Sequence, residues 1–395
     1  MIYRCPGCGG ALIFDPESNG MTCKYCEQIF PLSELDDSDE KRAASKESKE
    51  SFQVKIYSCT SCGAELMVNE TEVSTFCAYC NQPTVVFSRI SNELRPNCCI
   101  PFSVSEEEAA RRIYENFSTG WFTPKELKNP AEYKLRGIYV PFWLHDIKIH
   151  ARSSVTGTTG SGDSQVTHRF YRDVEATYYR ITTDASDLLS DELSQRLEPY
   201  DLKKIIPFRP KYLSGFYADR YDTSEKETRE IAMARATQFM DSEILQSIEK
   251  KYENKTFVFK NYQSRQIKHE YALLPAWFMN YTHNNKTHTI VVNGQTGKVA
   301  GIVPLDRKKI CLLLFTLVPS VTILFGLLNV ELFSFFGSEP NELYFYILAG
   351  IYMLILGYFG ASLNSWRKYR KHRKYFSSTN TVSYVEERQE NEWTP

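Results

Sequence analysis

Apolar residues recur at spacings of three and four along two stretches of the chain. Ala110, Ile113, Tyr114 and Phe117 share one face of a helix opened by Ser105, with Glu108 three residues on. Met233, Ala236, Met240, Ile244 and Ile248 form the apolar stripe of a second, opened by Ser224 with Glu227. The same triplet precedes each helix, Ile100-Pro101-Phe102 and Ile206-Pro207-Phe208. A P-x-W signal follows each, Pro141-Phe142-Trp143 and Pro275-Ala276-Trp277, leading into strand-like runs. In the last run Asn293-Gly294 marks a tight hairpin turn. The pattern predicts an α+β cytosolic region over 95–305, made of two related halves at about 95–200 and 201–305.

Beyond that region the alternation gives way to two uncharged apolar stretches. Residues 310–330 and 343–363 each run for 21 residues, about 31 Å as helix at 1.5 Å per residue, which matches a bilayer core. They predict a transmembrane helical hairpin. Arg307, Lys308 and Lys309 precede the first stretch, and Arg367, Lys368, Arg370, Lys371, Arg373 and Lys374 follow the second. The connector 331–342 carries three glutamates and no Lys or Arg. By the positive-inside rule the protein is expected in the cell membrane with two spans and both termini cytoplasmic. The tail 364–395 is basic, where it would touch anionic lipid headgroups, and then polar and disordered. The N-terminus, MIYRCPGCGG, has no charged region followed by an apolar run and so no secretory signal.

The cysteines carry the clearest chemistry. Eight of the eleven fall in two blocks of C-x-x-C, fourteen residues, C-x-x-C, offset by 54 positions. Cys5, Cys8, Cys23 and Cys26 make the first set, within 1–32, and Cys59, Cys62, Cys77 and Cys80 the second, within 55–90. A C-x-x-C turn lets two thiolates converge on one metal, and two such turns close a tetrahedral site. Gly9 and Gly63, each just after a second cysteine, stand where a positive φ finishes the turn. The expectation is two tandem rubredoxin-like zinc ribbons holding two structural Zn2+ ions, iron being the alternative for such knuckles. A unit of about thirty residues buries too little apolar surface to fold without its metal. Four thiolates leave no open coordination position, which argues against catalytic zinc. Residues 33–54 are a charged linker.

Charge narrows the partners. The net charge is −1, so any polyanion contact needs a local basic patch. In 1–32, Arg4 and Lys24 face Asp15, Glu17 and Glu27; in 55–90, Lys55 and Arg89 face Glu65, Glu70 and Glu72. Slightly acidic ribbons suit a protein partner better than nucleic acid. No G-x-S-x-G or H-E-x-x-H occurs, and no nucleophile, base and orienter converge in the sequence, so no catalytic residue or organic cofactor is assigned. His145 and His150 lie at an odd separation on a strand and point to opposite faces. The glycine-rich Gly157–Ser164 lacks the Lys of a phosphate cradle and reads as a hairpin loop. Cys98 and Cys99 read as buried small hydrophobes. Cys311 reads as packing at the end of the first apolar stretch.

The blocks CPGCGGALIFDPESNGMTCKYC and CTSCGAELMVNETEVSTFCAYC, with GIYVPFW and LPAWFMNY later in the chain, resemble bacterial TFIIB-type zinc-ribbon proteins, some of which are labelled primosomal-protein-like. The resemblance implies an association with PspA-type and SPFH (flotillin-like) membrane-stress proteins. On this reading the chain is a multidomain α+β membrane protein. Its expected function is that of a non-enzymatic, membrane-anchored zinc-ribbon adaptor that recruits cytosolic protein partners in a membrane-stress response. The alternative is a membrane-tethered nucleic-acid-binding protein linked to replication or transcription.

Overall fold

Cys23 and Cys59 each end a strand, and the first cysteine set builds a small sheet of its own. A computed structural model of the chain describes residues 3–34, 51–68, 77, 79–80, 82–83, 85–118, 123–189, 191–284 and 286–301. Strands β1 (Leu12–Asp15), β2 (Gly20–Cys23) and β3 (Ile29–Pro31) pair antiparallel in that order. The Asp15 carboxylate accepts the N–H of Glu17 at 3.1 Å and Asn19 takes a positive φ of 49°. This Asx turn joins β1 to β2. Leu12, Phe14, Met21 and Cys23 alternate inward and are buried.

The second set is built into a far larger sheet. Its strands are β4 (Ser51–Cys59), β5 (Glu65–Val68), β6 (Val85–Leu94), β7 (Cys98–Cys99), β8 (Leu135–Thr159), β9 (Val166–Asp184), β10 (Ile206–Pro207), β11 (Tyr217–Asp219), β12 (Glu253–His283), β13 (Lys286–Asn293) and β14 (Val299–Gly301). Along the main path the order is β10-β7-β12-β8-β11-β5-β4-β6, with β9 beside β8, and β13 between β12 and β14. The antiparallel pair β8·β12 is the spine, running from Leu135 opposite Met279 to Thr158 opposite Glu253. The described α-helices are α1 (Glu106–Phe117), α2 (Asp191–Leu197) and α3 (Glu225–Gln246). Met1–Ile113 with Pro130–Gly301 forms one compact unit and Tyr114–Asn129 belongs to a second, in which the Thr123 hydroxyl donates to the Phe117 carbonyl.

Strand β8 buries one side first and the other later. Ile138, Val140, Phe142 and Leu144 point to a core that takes in Leu197 of α2, Tyr200, Leu274 and Phe278. Ile147, Ile149, Ala151 and Val155, on the opposite parity, meet Ala232, Ala236, Phe239, Met240 and Ile244 of α3. At the changeover, β9 and β12 each carry an irregularity in register against β8. Bulges of this kind increase the local twist of a sheet.

Several expectations are corrected. The region 95–305 is not an α+β body of two halves but a β-dominated one, because the two echoes interleave in a single sheet. The 98–99 strand runs parallel to β12 and the 217–218 segment parallel to β8. Strand β7, just ahead of the first triplet, pairs with β10, which holds the start of the second. Trp143 Nε1 donates to the Thr223 carbonyl just ahead of α3, and Trp277 Nε1 to the Val104 carbonyl just ahead of α1. Each half therefore closes onto the helix start of the other. The membrane architecture and the cell-membrane location are likewise not upheld: no helix among the described residues is long and apolar enough to cross a membrane. Residues 310–330, 343–363, Cys311 and the basic tail lie outside the described residues.

Smaller differences have local causes. The buried face of α1 is Ala109, Ile113 and Phe117, while Tyr114 is exposed. The turn after β13 is wider than a two-residue hairpin. Its positive φ falls at Gly297 (73°), and the Asn293 carboxamide oxygen accepts the N–H groups of Gln295 and Thr296. Strand β4 starts at Ser51, inside the segment expected to be linker.

Candidate metal centres

Four chain reversals of one design bring the thiols together. In the first centre the Cys5 N–H donates to Gly10 O at 2.7 Å and the Gly9 N–H to Cys5 O at 2.9 Å. In the second, the Cys59 N–H donates to Ala64 O at 2.8 Å and the Gly63 N–H to Cys59 O at 2.9 Å. Gly9 and Gly63 have φ of 73° and 80° with open space where a Cβ would stand, so backbone conformation alone demands glycine there. The partner turns repeat the scheme: the Cys23 N–H donates to Gln28 O and the Cys77 N–H to Gln82 O.

The sulfur positions are those of a metal tetrahedron. Cys5–Cys26, Cys8–Cys23 and Cys8–Cys26 have Sγ–Sγ separations of 3.6, 3.4 and 3.6 Å, and Cys59–Cys80 and Cys62–Cys77 of 3.6 and 3.7 Å. Within each set the ligand atoms all lie within 4.8 Å of one another. Metal–sulfur bonds of about 2.3 Å give tetrahedral edges of about 3.8 Å, whereas a disulfide requires about 2.05 Å. All eight are free thiols. They form two groups, each able to hold a metal ion, and all eight cysteines singled out in the sequence belong to them.

Electrostatics point the same way. Burial pushes the Cys62 thiol up to about 11 and raises Cys77. Cys8, despite the Gly10 N–H that favours its thiolate, is pushed up to about 12 by hydrogen bonds shared with Cys23 and Cys26. Cys23 is lowered to about 6, chiefly by the backbone N–H of Cys26 and then of Tyr25. Cys8, Cys26, Cys62 and Cys77 thus resist ionising, and a bound dication would remove that resistance and hold them as thiolates.

The two centres are attached differently. Phe14 is the plug of the first: its ring lies edge-on to Tyr212 at 5.3 Å and near Phe216 at 6.4 Å, and its N–H donates to Ser214 O at 2.9 Å. The buried Lys211 donates through Nζ to Leu32 O at 3.0 Å. The second centre shares strands with the main sheet, since β5 pairs with β11 and β4 with both β5 and β6. Between its last two ligands, Tyr79 donates its hydroxyl to the buried Asp219 carboxylate at 2.7 Å, which also accepts from Ser186. Burial raises Asp219 to about 7. Glu65 takes a bidentate pair from Arg89 at 2.7 and 2.8 Å and a further bond from Arg220 at 2.8 Å, and Arg220 reaches Glu93 at 3.1 Å. Sequence reasoning missed Phe14, Tyr79, Lys211 and Asp219. Only Tyr79 carried a local signal, its place inside C-A-Y-C.

The other candidates do not converge on a site. His145 is fully buried, with Nε2 at 3.0 Å from Thr183 and 3.1 Å from Thr228, and burial lowers its pKa to about 4. His150 pairs with Asp173 at 2.6 Å. Gly157–Ser164 spans the end of β8 and a 3-10 turn before β9, a hairpin connection. Cys98 and Cys99 are buried in β7, each pushed up to about 12 by burial.

Two four-thiol groups able to hold a metal ion, one beside a three-stranded sheet and one at the end of a large β-sheet, are the chemical feature of the described residues. The chain is similar to Uncharacterized protein YdjG of Bacillus subtilis (strain 168), with 29% identity over 318 residues, 78% of this chain and 91% of that protein. No family model and no solved structure matches.

Proposed function

We propose that the protein is a non-enzymatic zinc-ribbon adaptor that binds other proteins. Zinc is the occupant that best suits two closed shells of four thiolates without an open position, since it has no redox cycle and tolerates tetrahedral sulfur. The single observation that carries the adaptor reading is that each set gathers four thiols within 4.8 Å of one another, enough to close a metal's shell. It makes each metal a brace for a surface and leaves no coordination position for a substrate. Around the first centre that surface includes the exposed Tyr25 and Ile29, aromatic and aliphatic groups of the kind protein interfaces use. The partners implied by the resemblance are PspA-type and flotillin-like proteins.

Affinity purification of the full-length chain, with mass spectrometry and metal analysis of the same sample, tests this. Near two zinc per chain and a protein partner that is lost in the Cys5→Ser, Cys59→Ser double variant support the reading. Undiminished partner recovery from that variant overturns it. Copurifying nucleic acid with a salt-dependent affinity would replace it with a nucleic-acid-binding function.

A further inference from the structure

The sheet path ends on β6, which pairs with β4 alone among the described residues. Long sheet edges are usually guarded by outward charges or by shortness. The edge strand β9 carries exposed Arg169, Asp173 and Glu175, and β10 at the far end has two residues. Strand β9 also exposes Val166, Tyr171 and Tyr179, and its Asp173 and Glu175 pair with His150, Arg152 and Lys148; what sets β6 apart is that its opposite charges, Arg89 and Glu93, stand equally far from Ser91. Strand β6 is ten residues long and exposes Val86 (51%), Phe87 (53%), Ile90 (55%) and Leu94 (36%). Its two charges are tied to its own molecule, Arg89 to Glu65 and Glu93 to Arg220.

We propose that β6 is a homodimer edge, on which the β6 of a second copy pairs antiparallel about a two-fold axis at Ser91 and extends the sheet across both copies. The sequence of the strand is self-complementary in this register. Residues whose numbers sum to 182 face each other, so Arg89 stands opposite Glu93 of the second copy and the reverse pair forms at the same time. On the other face Ile90 lies diagonal to Ile90 and Leu94 of the second copy, within reach for apolar contact. The charge pairs join the existing series of Arg89, Glu65, Arg220 and Glu93. The unpaired backbone groups of the edge gain partners, and both copies use one patch, as a two-fold interface requires. This inference is independent of what the metal ribbons bind.

The test is light scattering on the full-length chain, joined to cysteine scanning of β6. Ser91 would face itself at a Cα separation of about 4.5–5.5 Å, inside the range a disulfide bridges. The expected results are twice the chain mass, a covalent dimer of Ser91→Cys joined through residue 91 by peptide mapping, and little cross-linking of Asn92→Cys. Ile90→Lys is expected to abolish the dimer while metal content and circular dichroism stay unchanged, because Ile90 is exposed. A monomeric parent chain, a dimer that survives Ile90→Lys, or cross-linking that favours position 92 would each overturn the proposal.

Discussion

Gly9 and Gly63 isolate the cost of a backbone conformation from the cost of packing. Each sits at positive φ with nothing within 4 Å of a would-be Cβ, so alanine adds only left-handed strain, about 1–2 kcal/mol. Gly63→Ala is therefore expected to destabilise the metal-loaded protein by that amount and Gly63→Asn by less, since Asn tolerates this region. Thermal melts of the three proteins check it. His145 sets a pH dependence at the same scale. Its folded pKa, lowered to about 4 by burial, lies below the ordinary value near 6.5. Between those values the unfolded chain takes up a proton that the folded one refuses. The stability His145 contributes is complete above about 6.5 and falls as the pH drops towards 4, by on the order of 3 kcal/mol. His145→Gln should flatten the difference in melting temperature across that window. An unchanged slope would show that another group carries it.

Elements were legible where local chemistry dictates them and not where distant pairing does. The Ser224–Glu227 capping box forms as its spacing implies, with Glu227 accepting from the Ser224 N–H at 2.8 Å. Ala236, Met240 and Ile244 all turn inward. At α1 the matching Glu108 instead bonds Arg111 and Arg112, a competition that spacing alone cannot resolve. The four cysteine turns and the two glycines were readable because each is a closed local unit. The interleaving was not readable: nothing near Trp143 says that its indole will bond the carbonyl ahead of α3, eighty residues away. The docking of the first ribbon is equally non-local and gives an element-scale prediction. Phe14 is 1% exposed, and its ring meets residues of the body rather than the thiols. Phe14→Ala should cost about 3–5 kcal/mol at this contact yet leave the metal stoichiometry intact. Hydrogen exchange would then rise across β1 and β2 while β8 and β12 stay protected.

At the scale of the molecule, the two thiol sets have the same spacing but different mechanical places. The first closes a sheet of three strands that touches the body through Phe14 and Lys211. The second closes a turn whose strands are members of the large sheet, and it is fastened there by Tyr79–Asp219 and the Glu65, Arg89, Arg220 and Glu93 series. Metal binding in such sites is folding free energy, about 10–16 kcal/mol in isolated zinc-finger peptides. Losing the first metal should therefore unfold the ribbon and little else. Losing the second frees β4 and β5, and with them the support of β11 beside the spine strand β8. Cys5→Ser is expected to remove one metal and leave the main melting transition nearly in place. Cys59→Ser should lower that transition by on the order of 5 °C, the shift that about 4 kcal/mol produces at about 2.1 cal/mol/K of unfolding entropy per residue. Calorimetry with metal analysis on the two variants checks the asymmetry, and equal shifts would mean that the second centre is no more part of the sheet than the first.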